Sequence, residues 1–435
     1  MIDSVAVPAR RDLGVRMGFP WDEWIPGVLN SRQMTQLLDD GFITTSGPRP
    51  EVGHSSMDLT LADEAYHMLG GSVKPSHRSY SWFIKEKRLA EQITPKPTDG
   101  VYELKQKHTY VFRIQERLEA ALRNEGVIYG QATAKSSVGR VDVLARLIVD
   151  GMNTYECFDP EGLKSGSGDM FLEITPITFN VKVKANTSLS QLRFFYGRPE
   201  DVEIRAKELF HTVFRDSKHR DGSLTVSLAD ASIGDINGTT CKGIAFRSKR
   251  PNPDGPFIPL WSDDVADLRP NPTEHWDIEE ADGHRRLLVS PDIFYILRSK
   301  EKLHVPKGIA IYCRASDETM GEMRIHYAGF VHPFFGLYRE DSKQGTPLIF
   351  EVRGHQVPVS LADGEKMAIL IFYRMSEDAP ELDKVGKRKE AKGYGSQDLK
   401  LSTRFRDWPK HIQRNGDGSV IEPEKGEENG STEAS

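Results

Sequence analysis

An internal repeat constrains the fold of this chain more than any other feature of the sequence. Residues 110–118 (YVFRIQERL) resemble residues 295–303 (YILRSKEKL), which lie 185 positions later. Residues 172–174 (LEI) resemble 350–352 (FEV) at an offset of 178 positions, and the same offset carries 179–181 onto 357–359 and 192–194 onto 370–372. Self-similarity of this kind indicates two copies of one structural unit. The length of 435 residues agrees, because a single hydrophobic core rarely grows past ~250–300 residues.

Both copies contain short runs in which apolar and polar residues alternate, as in residues 179–184 (FNVKVK) and 357–361 (VPVSL). Alternation with period two is typical of strands, and the Gly, Pro, Asn and Asp residues between the runs are typical of turns. We therefore expect a mainly β protein, built as a tandem duplication of a distorted barrel with a few short helices. One helix is predicted from Ser31, as its cap, to Gly41, which ends it, and another over 199–214 between the copies.

The expected organisation of the chain has four parts. Residues 1–26 form an N-terminal extension, residues 27–214 the first domain and residues 215–406 the second domain. Residues 407–435 are expected to be a disordered tail, because the chain from Arg414 onward is rich in Gly, Glu, Asn and Ser and has almost no apolar residues.

Charge and composition exclude several classes of function. The net charge of −6 argues against long nucleic acid as a partner, since such binding needs a broad basic face, but it allows a small nucleotide. The sequence has neither the apolar run of a signal peptide nor the ~20 apolar residues of a membrane span, so we expect a cytoplasmic protein without a membrane partner. Cys157, Cys241 and Cys313 lie far apart, which predicts neither a disulfide framework nor a cysteine-based zinc site.

Residues 135–140 (KSSVGR), here called the phosphate segment, place two hydroxyl groups between two cations. The hydroxyl groups of Ser136 and Ser137 and the backbone amides around them suit phosphate oxygens, while Lys135 and Arg140 supply positive charge. A solvated turn or helix cap is the alternative interpretation of so short a motif.

A carboxylate stands inside an apolar strand in each copy, at Glu173 and at Glu351. Alternation along the strand alone would direct each side chain to solvent. Recurrence at the same place in both copies favours a role in chemistry, because apolar surroundings raise the pKa of a carboxyl group and allow it to transfer protons near neutral pH. Either glutamate is therefore a candidate general acid and base.

Residues 324–330 (RIHYAGF) precede Glu351 and carry small residues, Ala328 and Gly329, at their centre. Small residues let backbone groups approach a planar ligand closely. His326 in the same segment is interpreted as a hydrogen-bonded structural residue, because most polar groups in a core are simply satisfied in this way.

The last part of the second copy, residues 394–406, is here called the closing tail. Tyr394 offers a ring for stacking, Gln397 an amide and Lys400 a cation, and Ser402 and Arg404 follow. A segment of this composition in a Gly-rich setting can close over a bound nucleotide and become ordered as it does so. A solvated basic terminus is the alternative.

Taken together, these segments resemble the dCTP deaminase branch of the dUTPase-like superfamily, in particular its bacterial members with a duplicated domain. The resemblance spans residues 27 to 406, and no single motif carries it alone. It rests on the order and spacing of 27–32 (GVLNSR), 56–61 (SMDLTL), the phosphate segment, 171–173 (FLE), 190–194 (SQLRF), 324–330, 351–353 (EVR) and 397–402 (QDLKLS). It implies two dUTPase-like (β-clip) domains and hydrolysis of dCTP to dUTP and ammonia.

The resemblance also implies how the site is assembled. Ser136 and Arg140 of the first copy assist at the base and phosphates, and a strand glutamate holds the attacking water and transfers its proton. Glu351 is favoured over Glu173, because the second copy also keeps Ala328, whose backbone helps to seat the water, and leads into the closing tail. The second copy lacks the SSxxR pattern, so one composite site per chain is expected. The nucleotide substrate is expected to contact Lys135, Ser136, Ser137, Arg140, Tyr394, Gln397 and Lys400.

The same resemblance implies Mg²⁺ bound through the triphosphate, no direct metal ligands from the protein, and a homo-oligomer in the trimeric habit of the family. Zinc is not expected, since zinc deaminases need a PCxxC element that this chain lacks. Whether the product is dUTP or dUMP, and whether dCMP or a modified cytosine is accepted, is left open.

The chain departs from the family pattern at residues 331–336 (VHPFFG), where His332 replaces an aspartate and Phe334 a glycine. These departures motivate an alternative hypothesis, a nucleotide-binding regulator without catalysis. A dUTPase-like or bifunctional diphosphatase is the other alternative, but it needs an aspartate before the glutamate strand and a stacking tyrosine. Asp159 supplies the aspartate in the first copy without a tyrosine after it.

Overall fold

The protein forms two curled antiparallel sheets, one in each copy, connected by short helices. The computed structural model describes residues 19–76, 78–86, 88–215, 221–236, 239–261, 268–280, 282–316, 323–326, 329–337, 345–381, 397–415 and 419–423. The predicted fold class, mainly β with two barrel-like domains and a few short helices, is confirmed.

The first copy is a nine-stranded sheet with the central order β10-β8-β13-β3-β6-β11-β9; β1 pairs with β13, and β4 with β3. Strands β5 and β12 form a smaller sheet beside it. The elements are β1 (Gly27–Val28), α1 (Ser31–Asp39), β2 (Ile43–Thr45), β3 (Met57–Met68), α2 (Tyr80–Glu86), β4 (Ala90–Ile93), β5 (Val101–Leu104), β6 (Tyr110–Ile114), β7 (Glu116–Leu118), α3 (Ala120–Glu125), β8 (Ile128–Ala134), α4 (Ser136–Gly139), β9 (Val143–Val149), β10 (Cys157–Phe158), α5 (Pro160–Ser165), β11 (Met170–Pro176), β12 (Asn180–Lys184) and β13 (Ser188–Tyr196).

The second copy repeats this arrangement in the order β19-β17-β21-β14-β27-β22-β24, with β25 between β21 and β23. Its elements are α6 (Lys207–Phe214), β14 (Ser223–Ser227), β15 (Ala231–Ile236), β16 (Thr239–Gly243), β17 (Ala245–Ser248), β18 (Phe257–Pro259), β19 (Trp276–Glu279), β20 (Arg286–Val289), β21 (Phe294–Leu303), β22 (Ile309–Ala315), β23 (Met323–His326), β24 (Gly329–Val331), β25 (Thr346–Gly354), β26 (Val359–Ala362), β27 (Lys366–Arg374), β28 (Gln413–Arg414) and β29 (Val420–Ile421).

The strand registers confirm the internal repeat. Glu173 on β11 lies opposite Val111 of β6, and Glu351 on β25 lies opposite Ile296 of β21. Val111 and Ile296 are themselves 185 positions apart, the offset found between the repeated segments. The two glutamates therefore occupy the same place in the two sheets.

The two copies share buried surface. The core of the first copy continues into apolar residues of the second copy, such as Phe246 and Trp276, and into Leu399, Leu401 and Phe405 of the closing tail. Strand β18 of the second copy extends the small sheet of the first by pairing in parallel with β12. Burial of this apolar surface stabilises the contact between the copies.

Three sequence expectations need correction. Helix α1 is capped by Asn30 instead of Ser31, because the Asn30 side chain accepts hydrogen bonds from the amides of Arg32 and Gln33 at 3.0 and 3.1 Å. The helix predicted over 199–214 is interrupted: a 3-10 turn at Pro199–Val202 precedes α6. Between them, Glu203 pairs with β27, and the amide of Ile204 donates to the carbonyl of Phe372 at 2.7 Å.

The third correction concerns the terminal residues, which were expected to be disordered from 407. In the described part, β28 and β29 pair with each other, Val420 is fully buried, and the ring of Trp408 packs 5.5 Å from that of Phe246. These residues dock on the second copy. No helix in the described part of the chain is long and apolar enough to cross a membrane.

Candidate active site

Glu351 is a buried carboxyl group at the centre of the predicted site. Strand β25 places it between β21 and β23, and only 6% of the residue is exposed. Burial raises its pKa to about 8, although the positive charge of Arg140 acts in the opposite direction. A carboxyl group with this pKa can both accept and donate a proton near neutral pH.

The phosphate segment of the first copy lies against Glu351 of the second. It folds as helix α4, a single helical turn after β8, with the amide of Val138 donating to the carbonyl of Lys135 at 2.8 Å. A Cβ atom at Gly139 would stand 2.5 Å from Oε2 of Glu351, so only glycine allows the carboxyl group to sit where it does. Gly139 therefore brings the two copies into contact at the glutamate.

Arg140 connects the phosphate segment to the closing tail. Its guanidinium donates to the carbonyl of Lys400 at 3.0 Å and to Oε1 of Gln397 at 2.6 Å. The amide of Gln397 in turn donates to the carbonyl of Pro347, at the start of β25, at 3.2 Å. The closing tail thus bridges the two copies beside Glu351.

Ser137 is the second point where the closing tail is held. The hydroxyl group of Ser402 donates to the carbonyl of Ser137 at 2.6 Å, and the guanidinium of Arg404 lies 3.5 Å from the Ser137 hydroxyl. All three residues are buried. The predicted tail residues Gln397, Ser402 and Arg404 consequently lie on the phosphate segment.

The remaining polar residues of the site differ in exposure. Ser136 is exposed, whereas Lys135 is half-buried and forms an ion pair with Asp58 on β3. Burial lowers the pKa of Lys400, and the nearby charge of Arg140 lowers it further. Cations and hydroxyl groups therefore lie along the phosphate segment and the closing tail, an arrangement suited to phosphate oxygens.

Glu173 has a different environment from Glu351. Its Oε2 accepts a hydrogen bond from the hydroxyl group of Tyr155 at 3.1 Å, and burial raises its pKa. Tyr80 of helix α2 packs in the same cluster, together with Phe171 of β11. Ser72 also hydrogen-bonds to Glu173 and the positive charge of Arg146 on β9 acts on it, both against the effect of burial, and all of these neighbours belong to the first copy.

Two of the predicted site residues, Ala328 and Tyr394, lie outside the described residues, and His326 is described only as part of β23.

The backbone conformation of Phe334 explains why the family pattern has glycine there: its φ is +70°, a left-handed conformation that costs a non-glycine residue roughly 1–2 kcal/mol. Nδ1 of His332 lies 2.9 Å from the hydroxyl group of Ser55 in the first copy.

Sequence reasoning missed three charged residues beside the site. Arg353 on β25 forms a buried ion pair with Asp142, which follows the phosphate segment. Arg193 on β13 is fully buried and donates to the carbonyl of Ile311 in the second copy at 3.0 Å. Arg193 and Arg353 stand in segments that carried the family resemblance, and the separation of two residues between Glu351 and Arg353 was a usable signal, since it puts both on one strand face.

Comparison with known proteins identifies the family of this chain. Residues 25–198 match the N-terminal domain of 2'-deoxycytidine 5'-triphosphate deaminase, and residues 232–405 match its C-terminal domain. No curated protein matches the chain. The crystal structure of 2'-deoxycytidine 5'-triphosphate deaminase from Agrobacterium tumefaciens is similar, with a TM-score of 0.68 and 26% identity, over 81% of this chain and 97% of that one. With both domain models matched in order over most of its length, the chain belongs to the two-domain dCTP deaminases, hydrolases that act on the cytosine amino group.

Proposed function

We propose that the protein deaminates dCTP at a single composite site, with Glu351 from the second copy and the phosphate segment from the first. One observation carries this proposal: Gly139 lies directly against the buried carboxyl group of Glu351, next to Arg140. A proton-transferring group and an anion-binding segment are the two parts that hydrolysis of a nucleotide base requires.

In this proposal Glu351 acts first as a base and then as an acid. It accepts a proton from a water molecule as the water oxygen forms a bond to C4 of cytosine. The same proton then passes to the 4-amino group, the C4–N bond breaks and ammonia leaves, while the second proton of the water moves from the new hydroxyl group to N3, which gives uracil with the water oxygen at C4. The charge of Arg140 favours the ionised carboxylate in the first step, and Ser136 and the backbone of Ala328 orient the base and the water.

The triphosphate is proposed to lie on the phosphate segment, with Lys135, Ser137, Tyr394, Gln397 and Lys400 around it. The described residues here offer mainly ammonium, guanidinium and hydroxyl groups, which suit phosphate oxygens better than a metal ion. Mg²⁺ is therefore proposed to enter on the triphosphate, where it neutralises phosphate charge.

A homo-oligomer and a cytoplasmic location are further proposals, and the free thiols of the three cysteines agree with a reducing compartment.

The two alternatives receive less support from the site. A diphosphatase needs a carboxylate free to activate water, yet Asp159 caps helix α5 by accepting from the amide of Gly162 at 2.7 Å. The corresponding position in the second copy is His332, whose pKa burial lowers to about 3, so that it is neutral near pH 7. A non-catalytic regulator would have no need for a buried carboxyl group poised against Gly139.

The test is ammonia release from dCTP with Mg²⁺ and a chelator selective for transition metals, with chromatography of the nucleotide product. We expect the native protein and E173Q to release ammonia and form dUTP, and E351Q to lose activity. Loss in E173Q alone would move the site to the first copy. Binding of dCTP without release of ammonia or pyrophosphate by the native protein would establish the regulator instead.

A further inference from the structure

A buried polar cluster joins the two copies next to the proposed site. The guanidinium of Arg353 contacts the carboxylate of Asp142 and the hydroxyl group of Thr178, and that hydroxyl group donates to the same carboxylate oxygen of Asp142 at 2.6 Å. Asp142 and Thr178 belong to the first copy, and Arg353 belongs to the second. Asp142 is fully buried, and the other two residues are nearly so.

The cluster is linked to the proposed site by very short lengths of chain. Arg353 follows Glu351 by two residues on β25, so both side chains project from the same face of the strand, roughly 6–7 Å apart along it. Asp142 follows Arg140 by two residues, and its amide donates to the carbonyl of Gly139 at 2.8 Å. Glu351 in one half of the composite site is therefore two residues from Arg353, and Arg140 in the other half is two residues from Asp142.

The backbone around both partners is also held. Asp142 has a φ of +57°, and its carbonyl accepts from the amide of Ile177, which leads directly to Thr178. On the other side, Arg353 also donates to the carbonyl of Asp292 at 3.3 Å, while its strand is paired with β21 and β23. The ion pair therefore connects two rigid supports.

We propose that Arg353, Asp142 and Thr178 form a clamp between the copies that sets the position of Glu351 relative to Gly139 and Arg140. They are positioning residues: they act through the residues of the site and contact no reacting atom. The inference rests on the proposed function and adds the group that aligns its two halves. Alignment matters because a shift of ~1 Å in a reacting group can lower a rate about a hundredfold.

The test measures kcat and KM for dCTP in R353M, D142N and the double variant, at a temperature well below the unfolding of each. We expect kcat to fall about 10- to 100-fold in R353M while KM changes less than about threefold, since the triphosphate contacts remain. The double variant should lose no more than R353M, because both changes break one interaction. R353K, which keeps a cation but replaces the planar guanidinium with an ammonium group, should recover part of kcat.

The matched control is L361A, which removes a fully buried side chain from β26, a strand without proposed site residues. It should lower Tm with kcat unchanged. If R353M lowers Tm as L361A does and keeps the native kcat, the cluster only stabilises the fold and the positioning role is wrong. If instead E351Q retains activity, the composite site itself is wrong, whatever R353M does.

Discussion

The Glu351 carboxyl group is neutral in the free protein near pH 7, because burial raises its pKa to about 8. A base must be ionised to accept a proton from water, so kcat/KM for dCTP should rise with pH and level off above about 8. A pH–rate profile of the native protein measures this directly. A kcat/KM that is constant from about pH 6 to pH 9 would show that ionisation of Glu351 in the free protein does not limit the reaction.

The same shift predicts a change in stability, which serves as the control for this profile. The folded pKa of Glu351 lies above its ordinary value of 4.5, so the stabilising contribution of the neutral carboxyl group is complete below pH 4.5 and is lost as pH rises to about 8. E351Q removes the titration. The Tm of E351Q should therefore be higher than that of the native protein at pH 8, and the two Tm values should differ less at pH 5.

Gly139 makes the second prediction at the residue scale. An added Cβ would meet the end of the flexible Glu351 side chain, at 2.5 Å from Oε2 and 2.9 Å from the carboxyl carbon. The carboxyl group can rotate away at little cost to folding, but it then leaves its position for proton transfer. G139A should consequently lower kcat about a hundredfold while the free energy of unfolding falls by less than about 1 kcal/mol.

The control for G139A is G70A, since Gly70 has open space around it and an ordinary φ. Steady-state kinetics and thermal unfolding of both variants separate the effects. Native kcat in G139A would mean that Glu351 does not react from the position seen here.

At the scale of elements, the closing tail is held partly by an ion pair between Asp398 and Arg298 of β21. Arg298 also donates to the carbonyls of Ala229 and Asp230, so it stays in place without Asp398. Removing this partly exposed pair costs about 0.2–1 kcal/mol, which should open the tail more often. D398N is therefore expected to raise KM for dCTP up to about fivefold with little change in kcat.

Asp363, which pairs with Lys300 at 2.8 Å outside the closing tail, provides the control D363N. Limited proteolysis of the tail should become faster in D398N and not in D363N. Equal KM values in the two variants would show that this ion pair does not hold the tail.

Alternation and repetition predicted the strands well, because both follow from side chains that must face one core. The errors arose at positions where the local sequence allows two backbone conformations. Asn30 and Ser31 are both good cap residues, and only the backbone shows which one is outside the helix. The helix over 199–214 breaks because Glu203 and Ile204 pair with β27, and Trp408 and Val420 are ordered by partners distant in sequence.

The contacts between the copies were the least predictable part of the site. Sequence equivalence placed Glu173 and Glu351 at the same position, but their surroundings differ because one is covered by its own copy and the other meets Gly139. The partners Asp142 and Arg353 are 211 residues apart. No spacing rule connects such residues until the arrangement of the two copies is known.

At the scale of the whole molecule, Arg193 is a buried cation where the copies meet. Its guanidinium donates to the carbonyls of Ser55 and Ile311 and lies 3.9 Å from the centre of the Phe330 ring. Burial lowers the pKa of Arg193 to about 9. His332 lies close by and remains neutral, since burial and the charge of Arg193 lower its pKa to about 3.

These surroundings predict the effect of restoring the aspartate that the family pattern has at position 332. A carboxylate there would accept a hydrogen bond from the Ser55 hydroxyl group and be attracted by Arg193 and Lys135, both of which repel a proton on His332. H332D should therefore be more stable at pH 7.5 than H332N, which has nearly the same shape without the charge, by about 1–2 kcal/mol. The same attraction holds the pKa of the introduced carboxyl group below its usual range, so the difference should shrink as pH falls below about 4 and vanish only at about pH 2 or lower, as thermal or urea unfolding of both variants will show. Equal stability of the two variants at pH 7.5 would mean that the interface between the copies does not require an anion at this position. The charge of Arg193 would then already be balanced by solvent or by groups outside the described residues.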